Sequence, residues 1–311
     1  MALINGTSGN DVLIGTNDND TINGGAGNDI IDGRLGLDVM DAGTGVDTLD
    51  VTFWNSAYEL DMTSGLTNFA GETAVNFENI NTGAGNDRIV GNSENNIINT
   101  GAGDDWIDGG LGLDVMDAGT GVDTLDVTFW NNAYELDMTS GLTNFAGETA
   151  VNFENVNTGA GNDRITGTTG ANVITTGNGN DVIMAGAGND ILNAYGNFAN
   201  GSVQIDQLHG GTGNDVFVLG TNTGGVFYNE VGEGYAVIQD WRLHSGMVFE
   251  DDRVQLTGNA SQYQIVQTNN VVGTGAVDTE IYCVSGMSFE RIGVIQDSTD
   301  FALNSSYVNW V

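Results

Sequence analysis

GGAGNDIID, residues 24–32, is followed without a break by GRLGLDVMD (33–41) and AGTGVDTLD (42–50). The three nonads share a glycine at the fourth position, an aspartate at the sixth and an apolar residue at the eighth. One apolar residue per nonad, flanked by outward positions, predicts a three-residue strand rather than a helix. The glycines give the turn its positive φ without a Cβ penalty. Turn plus short strand, twice over, predicts one coil of a right-handed parallel solenoid. Each coil then stacks on the next, and no repeat is stable alone.

The period runs far along the chain. Residues 6–50 carry Asp11, Asp20, Asp29, Asp38 and Asp47 at the sixth position, and residues 82–126 carry Asp87, Asn96, Asp105, Asp114 and Asp123. Residues 158–193 carry Asp163, Asn172, Asp181 and Asp190. The last set, 201–218, opens on the degenerate GSVQIDQLH and ends on GGTGNDVFV with Asp215. A longer repeat lies above this one: residues 31–89 recur at 107–165 with three differences, Arg34/Gly110, Ser56/Asn132 and Ile80/Val156. Inside it, TAVNFENIN (73–81) and its copy (149–157) keep the register, with Glu78 and Glu154 at the sixth position. That leaves two 22-residue insertions, 51–72 and 127–148. Every eighth position is apolar.

Stacked turns set aspartate over aspartate along both edges, and such carboxylates repel. A hard cation resolves the conflict. Calcium takes about six to eight oxygens from carboxylates and carbonyls in forgiving geometry, whereas magnesium demands an octahedron and holds its water. The expected ligands are therefore Asp11, Asp20, Asp29, Asp38, Asp47, Asp87, Asp105, Asp114, Asp123, Asp163, Asp181, Asp190 and Asp215. Gly25, Gly27, Gly110, Gly112, Gly211 and Gly213 mark turns whose exposed carbonyls complete the shell.

The pattern G-G-x-G-x-D-x-U-x resembles the signature of the RTX (repeats-in-toxin) calcium-binding β-roll family, over residues 6–50, 73–126, 149–193 and 201–218. The resemblance implies an all-β β-roll that folds on several calcium ions. It also implies export by a type I secretion apparatus reading an uncleaved C-terminal signal, and a place outside the cell or on its surface. Asn96, Asn172, Glu78 and Glu154 depart from the aspartate, and Asp18 and Glu94 from the fourth-position glycine.

Composition narrows the function. The chain has 42 acidic residues against 6 basic ones, a formal charge of −36 and no proline. It offers no basic patch, which excludes nucleic acid and electrostatic attraction to an anionic membrane. No apolar run reaches the length of a membrane span, and MALINGTSGN lacks the regions of a cleavable signal. A salt-adapted surface would also be acidic, but it would not place fourteen aspartates on the sixth position of a nonad.

In the insertion, Tyr58, Leu60 and Met62 alternate with Glu59 and Asp61 and predict a half-buried strand. The insertion reads as a β-excursion covering one side of the roll, with Phe53, Trp54 and Phe69 in the interface; an aromatic platform for a glycan is the alternative. Residues 219–311 read as short alternating strands, hence a small β-rich cap on the open end of the core. VIQDW followed by DDRVQL resembles the capping segment of secreted RTX proteins, cyanobacterial ones in particular, and the tail DFALNSSYVNWV resembles a type I secretion signal.

Catalysis finds no foothold. His209 and His244 lack the H-E-x-x-H context, no G-x-S-x-G elbow occurs, and Cys283 reads as a core residue of a strand. An outward threonine file that could match ice is missing as well. Two classes stay open. One is a calcium-dependent structural protein of a cell surface, matrix or filament that self-associates; the other is a carbohydrate-binding or adhesion module.

Overall fold

The computed structural model describes residues 1–195, 204–221, 225–226, 235–241, 251–269, 271–272, 277–285, 288–296, 298, 301–303 and 306–311. His244, the first three residues of GSVQIDQLH and part of the C-terminal tail lie outside them. The chain is all-β, and among the described residues the helical element is one 3-10 turn, Ala260–Gln262. Two compact units result, Met1–Val127 with Ser140–Asn155, and Thr128–Thr139 with Val156–Val311.

In the first unit the chain alternates between two sheets at every nonad. Leu3–Asn5, Thr21–Ala26 and Val39–Thr44 lie side by side in one, while Val12–Ile14, Ile30–Asp32 and Thr48–Asp50 lie side by side in the other. Pairing is parallel with an offset of two nonads, as in Ile4↔Ile22, Ile22↔Met40 and Leu13↔Ile31. The eighth position therefore stacks on itself. Ile22, Ile31, Leu49, Ile80, Ile89, Ile98, Ile107 and Leu125 are all fully buried. The core is this double ladder, and each rung gains its burial from the rungs beside it.

The insertion enters the sheet instead of covering it. Glu59–Asp61 pairs in parallel with Arg88–Val90, and Thr73–Val75 pairs in parallel with Val39–Asp41. The two-residue strand Leu66–Thr67 joins them, antiparallel to both. The half-buried strand expected over 58–62 is thus a rung of the core, with Tyr58, Leu60 and Met62 buried. Its aromatic side chains close around one another, Trp54 packing edge-on to Phe69 at 5.4 Å and to Phe53 at 6.0 Å.

This three-strand detour stays in one sheet, so it changes the parity of the winding. In the second copy, Leu142–Thr143 and Thr149–Val151 belong to the other sheet, beside Val115–Asp117. Strands of nearly identical sequence, Leu66–Thr67 with Thr73–Val75 and Leu142–Thr143 with Thr149–Val151, therefore lie on opposite sheets of the unit.

The second unit repeats the scheme. Leu136, Ile165, Ile183, Leu208, Ile238 and Ile295 form one ladder. Ile174, Leu192, Phe217, Val254 and Val308 form the other. Parallel stacking thus continues past the last nonad. It ends where Tyr263–Asn269, Val277–Ser285 and Ser288–Ile295 form an antiparallel meander. Cys283 lies buried in that meander and is unpaired.

Candidate metal centres in the stacked turns

From Asp20 onward, the sixth-position aspartates lie buried beneath their turns, and most are tied to the coil before. The N–H of Asp11 donates to Asp29 Oδ1 (2.8 Å), and that of Asp29 donates to Asp47 Oδ1 (2.6 Å). The same bond joins Asp20 to Asp38 (2.7 Å), Asp87 to Asp105 (2.8 Å) and Asp105 to Asp123 (2.7 Å). Asn96 donates in the same way to Asp114 (2.8 Å). In the second unit the bonds run from Asp163 to Asp181 (2.8 Å), from Asn172 to Asp190 (2.7 Å) and from Asp190 to Asp215 (2.9 Å). One carboxylate oxygen per turn is therefore committed to a backbone amide.

The other oxygen separates two kinds of turn. Where the second residue of the nonad is threonine or asparagine, that residue caps it. Thr7 donates its N–H (2.6 Å) and hydroxyl (2.9 Å) to Asp11 Oδ2, and Thr16 does the same for Asp20 (2.7 and 2.8 Å). Asn92 and Thr168 cap the amide oxygens of Asn96 (3.0 Å) and Asn172 (2.8 Å). The thirteen expected ligands are thus not equivalent. Asp11 and Asp20 are satisfied by their own turns.

Where the second residue is glycine, the turn runs through positive φ, as at Gly25 (107°), Gly27 (116°), Gly110 (81°), Gly112 (135°), Gly211 (98°) and Gly213 (131°). No N–H then reaches the outer oxygen. Oδ2 of Asp29, Asp47, Asp123 and Asp190 is buried with no hydrogen-bond partner. The same atom of Asp87 and Asp105 lies by the hydroxyls of Thr82 and Thr100, whose single protons already go to the carbonyls of Thr100 (2.7 Å) and Ala118 (3.1 Å). Asp163 shares the Thr158 hydroxyl with the carbonyl of Thr176 (2.9 Å), and Asp181 has the Thr176 hydroxyl beside it.

Buried anions without donors resist ionisation. Desolvation raises Asp38, Asp47, Asp105 and Asp163 above the ordinary carboxylate range. It pushes Asp87 to about 6 and Asp114, Asp123 and Asp190 to about 7, with neighbouring carboxylates adding to the effect. Burial, with the charge of Asp206 behind it, takes Asp181 to about 9. Asp20 moves the other way, held down by the Thr16 N–H.

The open turns fit calcium. A Cβ built on Gly24 would lie 2.2 Å from the carbonyl oxygen of Ala42 and 2.6 Å from Asp29 Oδ2, so two oxygens converge on space that only glycine leaves empty. Among the described residues no three Asp, Glu, His or Cys side chains cluster as a metal would need. Carbonyls must therefore make up most of any shell, which suits calcium and not a nitrogen- or sulfur-seeking metal.

Four carboxylates escaped the sequence reading or were discounted by it. Glu78 and Glu154 join the ladder, accepting from the N–H of Asp47 (2.8 Å) and Asp123 (2.9 Å). Asp206 accepts from Asp181 (2.8 Å), and Asp252 from Asp215 (3.1 Å). The last had a signal, since DDRVQ (251–255) repeats the form of NDRIV (86–90).

The two kinds of turn should behave differently. Asp29→Asn and Asp123→Asn keep the amide-accepting oxygen and remove the charge, so each should lower the number of calcium ions bound, measured by equilibrium dialysis. Asp11→Asn should leave the number unchanged. Asn96→Ala should cost about 1–3 kcal/mol of stability without changing it, because Asn96 Nδ2 donates to the carbonyl of Glu78 (2.8 Å). Equal losses of bound calcium in all four variants would contradict the distinction.

A family model described as RTX calcium-binding nonapeptide repeat matches residues 5–40, 14–49, 77–103, 90–125, 157–192 and 193–222, together just over half of the chain. Comparison with curated proteins finds no match.

Proposed function

The chain belongs to the RTX calcium-binding nonapeptide repeat family, and on that premise we propose a secreted structural protein that becomes rigid only when calcium fills its turns. Such repeats bind calcium. The observation behind the reading is the row of inward carboxylates, Asp29, Asp47, Asp123 and Asp190 among them, whose outer oxygens are buried without a donor. A chain made this way is ill-suited to fold where calcium is scarce and well-suited to fold on leaving the cell. That agrees with type I secretion and a place in a surface layer, matrix or filament. Among the described residues no helix is long and apolar enough to cross a membrane.

The aromatic cluster of the first insertion favours a second reading, a calcium-dependent carbohydrate-binding or adhesion module. Trp54, Phe53 and Phe69 line a solvent-open cleft on the Asp38 turn. One comparison separates the two. Calcium titration of the purified protein, followed by light scattering, should show large assemblies if the role is structural. A protein that stays monomeric in saturating calcium and binds glycans on an array would favour the second reading.

A further inference from the structure

The cleft at the first insertion has a feature that the nonad pattern does not explain. It is lined by Asp38 and the glycines of its turn, by Phe53, Trp54 and Phe69, and by Glu72 of the insertion. The cleft together with the solvent at its mouth spans about 420 Å³. Asp38 is 1% exposed, and its Oδ1 is used by the N–H of Asp20 (2.7 Å). Its Oδ2 accepts no hydrogen bond. A Cβ on Gly33 would lie 2.7 Å from that oxygen, so only glycine leaves it open.

Glu72, 9% exposed, stands where the next rung of the carboxylate ladder would be. It does not join the ladder. Its Oε1 accepts from the Tyr58 hydroxyl (2.9 Å), which fixes the side chain against the cleft. The one cation of the lining, Arg34, is held by Asp32 (2.9 Å) and stacks over Phe53. The N–H of Thr73, next to Glu72, donates to the carbonyl of Asp38 (2.9 Å), so two buried carboxylates line the same cleft on neighbouring strands.

The 76-residue repeat makes the arrangement twice. The N–H of Thr149 likewise donates to the carbonyl of Asp114 (2.8 Å) and sets Glu148 beside it, although this second pair lies on the opposite sheet of the unit. A buried carboxylate oxygen left open beside a second buried carboxylate points to a cation between them.

We propose that Asp38 with Glu72, and Asp114 with Glu148, each close a site for a hard divalent cation at the junction between the repeats and an insertion. Residues 50–76 and 126–156 lie outside the matched repeats, so Glu72 and Glu148 are ligands that the nonad signature does not contain. The ion would fasten each inserted hairpin to the turn preceding it. The proposal rests on the calcium reading above, with which it shares Asp38 and Asp114.

The test uses the full chain. Glu72→Gln keeps an oxygen for the Tyr58 hydroxyl and removes only the charge. It should lose one bound calcium by equilibrium dialysis, Glu72→Gln with Glu148→Gln should lose two, and both should keep a β-rich spectrum in calcium. Tyr58→Phe removes the hydrogen bond and leaves the charge, so its calcium count should be unchanged. A Glu72 that serves only as the acceptor of Tyr58 would give the opposite pattern and overturn the proposal.

Terbium supplies a second readout on an intact charge set. Trp54 beside the site should sensitise bound terbium, and Trp54→Phe should remove that component of the emission without changing the number of ions. Emission unaffected by Trp54→Phe would also overturn the proposal, even if Glu72→Gln failed to fold. Wild-type protein that binds no calcium would refute the broader reading; wild-type and Glu72→Gln binding equally would refute this inference alone.

Discussion

In excess chelator near neutral pH, far-ultraviolet circular dichroism should show a largely disordered chain, and millimolar calcium should restore the β signal where magnesium does not. The argument rests on magnitudes. A buried polar atom left without its hydrogen bond costs about 1–3 kcal/mol, more when the group is charged, and a whole domain is stable by only about 5–15 kcal/mol. In the first unit, Asp29, Asp47 and Asp123 each keep an oxygen buried with no donor. Together these open oxygens take up a large part of the margin of a core one residue wide. Calcium removes it by replacing the missing donors with a charge. A β-rich spectrum in chelator would refute the claim.

Acid should partly substitute for calcium, and the sign follows from the shifted carboxyls. Asp87 at about 6, and Asp114, Asp123 and Asp190 at about 7, compare with 3.8 for a free side chain. Below the free value both states are protonated and there is no penalty. As pH rises from there towards neutrality, the unfolded chain ionises freely while the folded one gives up its protons reluctantly. Metal-free stability therefore falls across that window, and Asp181, at about 9, extends the fall into mild alkali. Calcium affinity should run the other way, rising with pH because the ligands must be deprotonated. A chelated protein equally unfolded at pH 4.5 and at neutrality would contradict the protonation argument.

The winding was legible because one signal repeated. A buried aliphatic at each eighth position and a carboxylate at each sixth define strand, face and edge together, and the parallel register follows from their constancy. The insertion was opaque for the opposite reason. Tyr58 occupies a sixth-type position without a carboxylate, Leu66–Thr67 is too short to show alternation, and Glu72 precedes a strand whose central residue is only Ala74. Nothing local says that such a segment will be inserted between two rungs. The division of the turns was written in the sequence. Thr7, Thr16, Asn92 and Thr168 hold the second position wherever the sixth side chain is capped, since these residues bend a side-chain oxygen onto nearby amides.

Deleting residues 219–311 should impair folding even in saturating calcium, although every nonad remains. Tyr235–Ile238 pairs with Ile205–Leu208, and Arg253–Gln255 pairs with Val216–Val218. Gly293–Ile295 and Val308–Trp310 add the next rungs. Their removal uncovers Leu208 and Phe217, both fully buried, together with Val218. At about 1.5–3 kcal/mol for each large apolar side chain, this loss alone approaches the stability of a small domain. It also takes away Asp252, the acceptor for the N–H of Asp215 (3.1 Å).

The other end should be far more tolerant. Deleting residues 1–14 uncovers Ile22 and Ile31, which pair with Ile4 and Leu13, but it leaves the C-terminal rungs in place for the remaining nonads to stack on, and the Asp11 it removes belongs to a turn that caps itself. The asymmetry suits the capping role proposed for 219–311. In a chain exported C-terminus first, the meander would form early and give the nonads beside it a surface to fold on, one coil at a time. Calcium titrations followed by circular dichroism should show a sharp transition for the full chain and for 15–311, and a broad, incomplete one for 1–218. If 1–218 folds as sharply as the full chain, the stack needs no cap and folding can begin in any nonad.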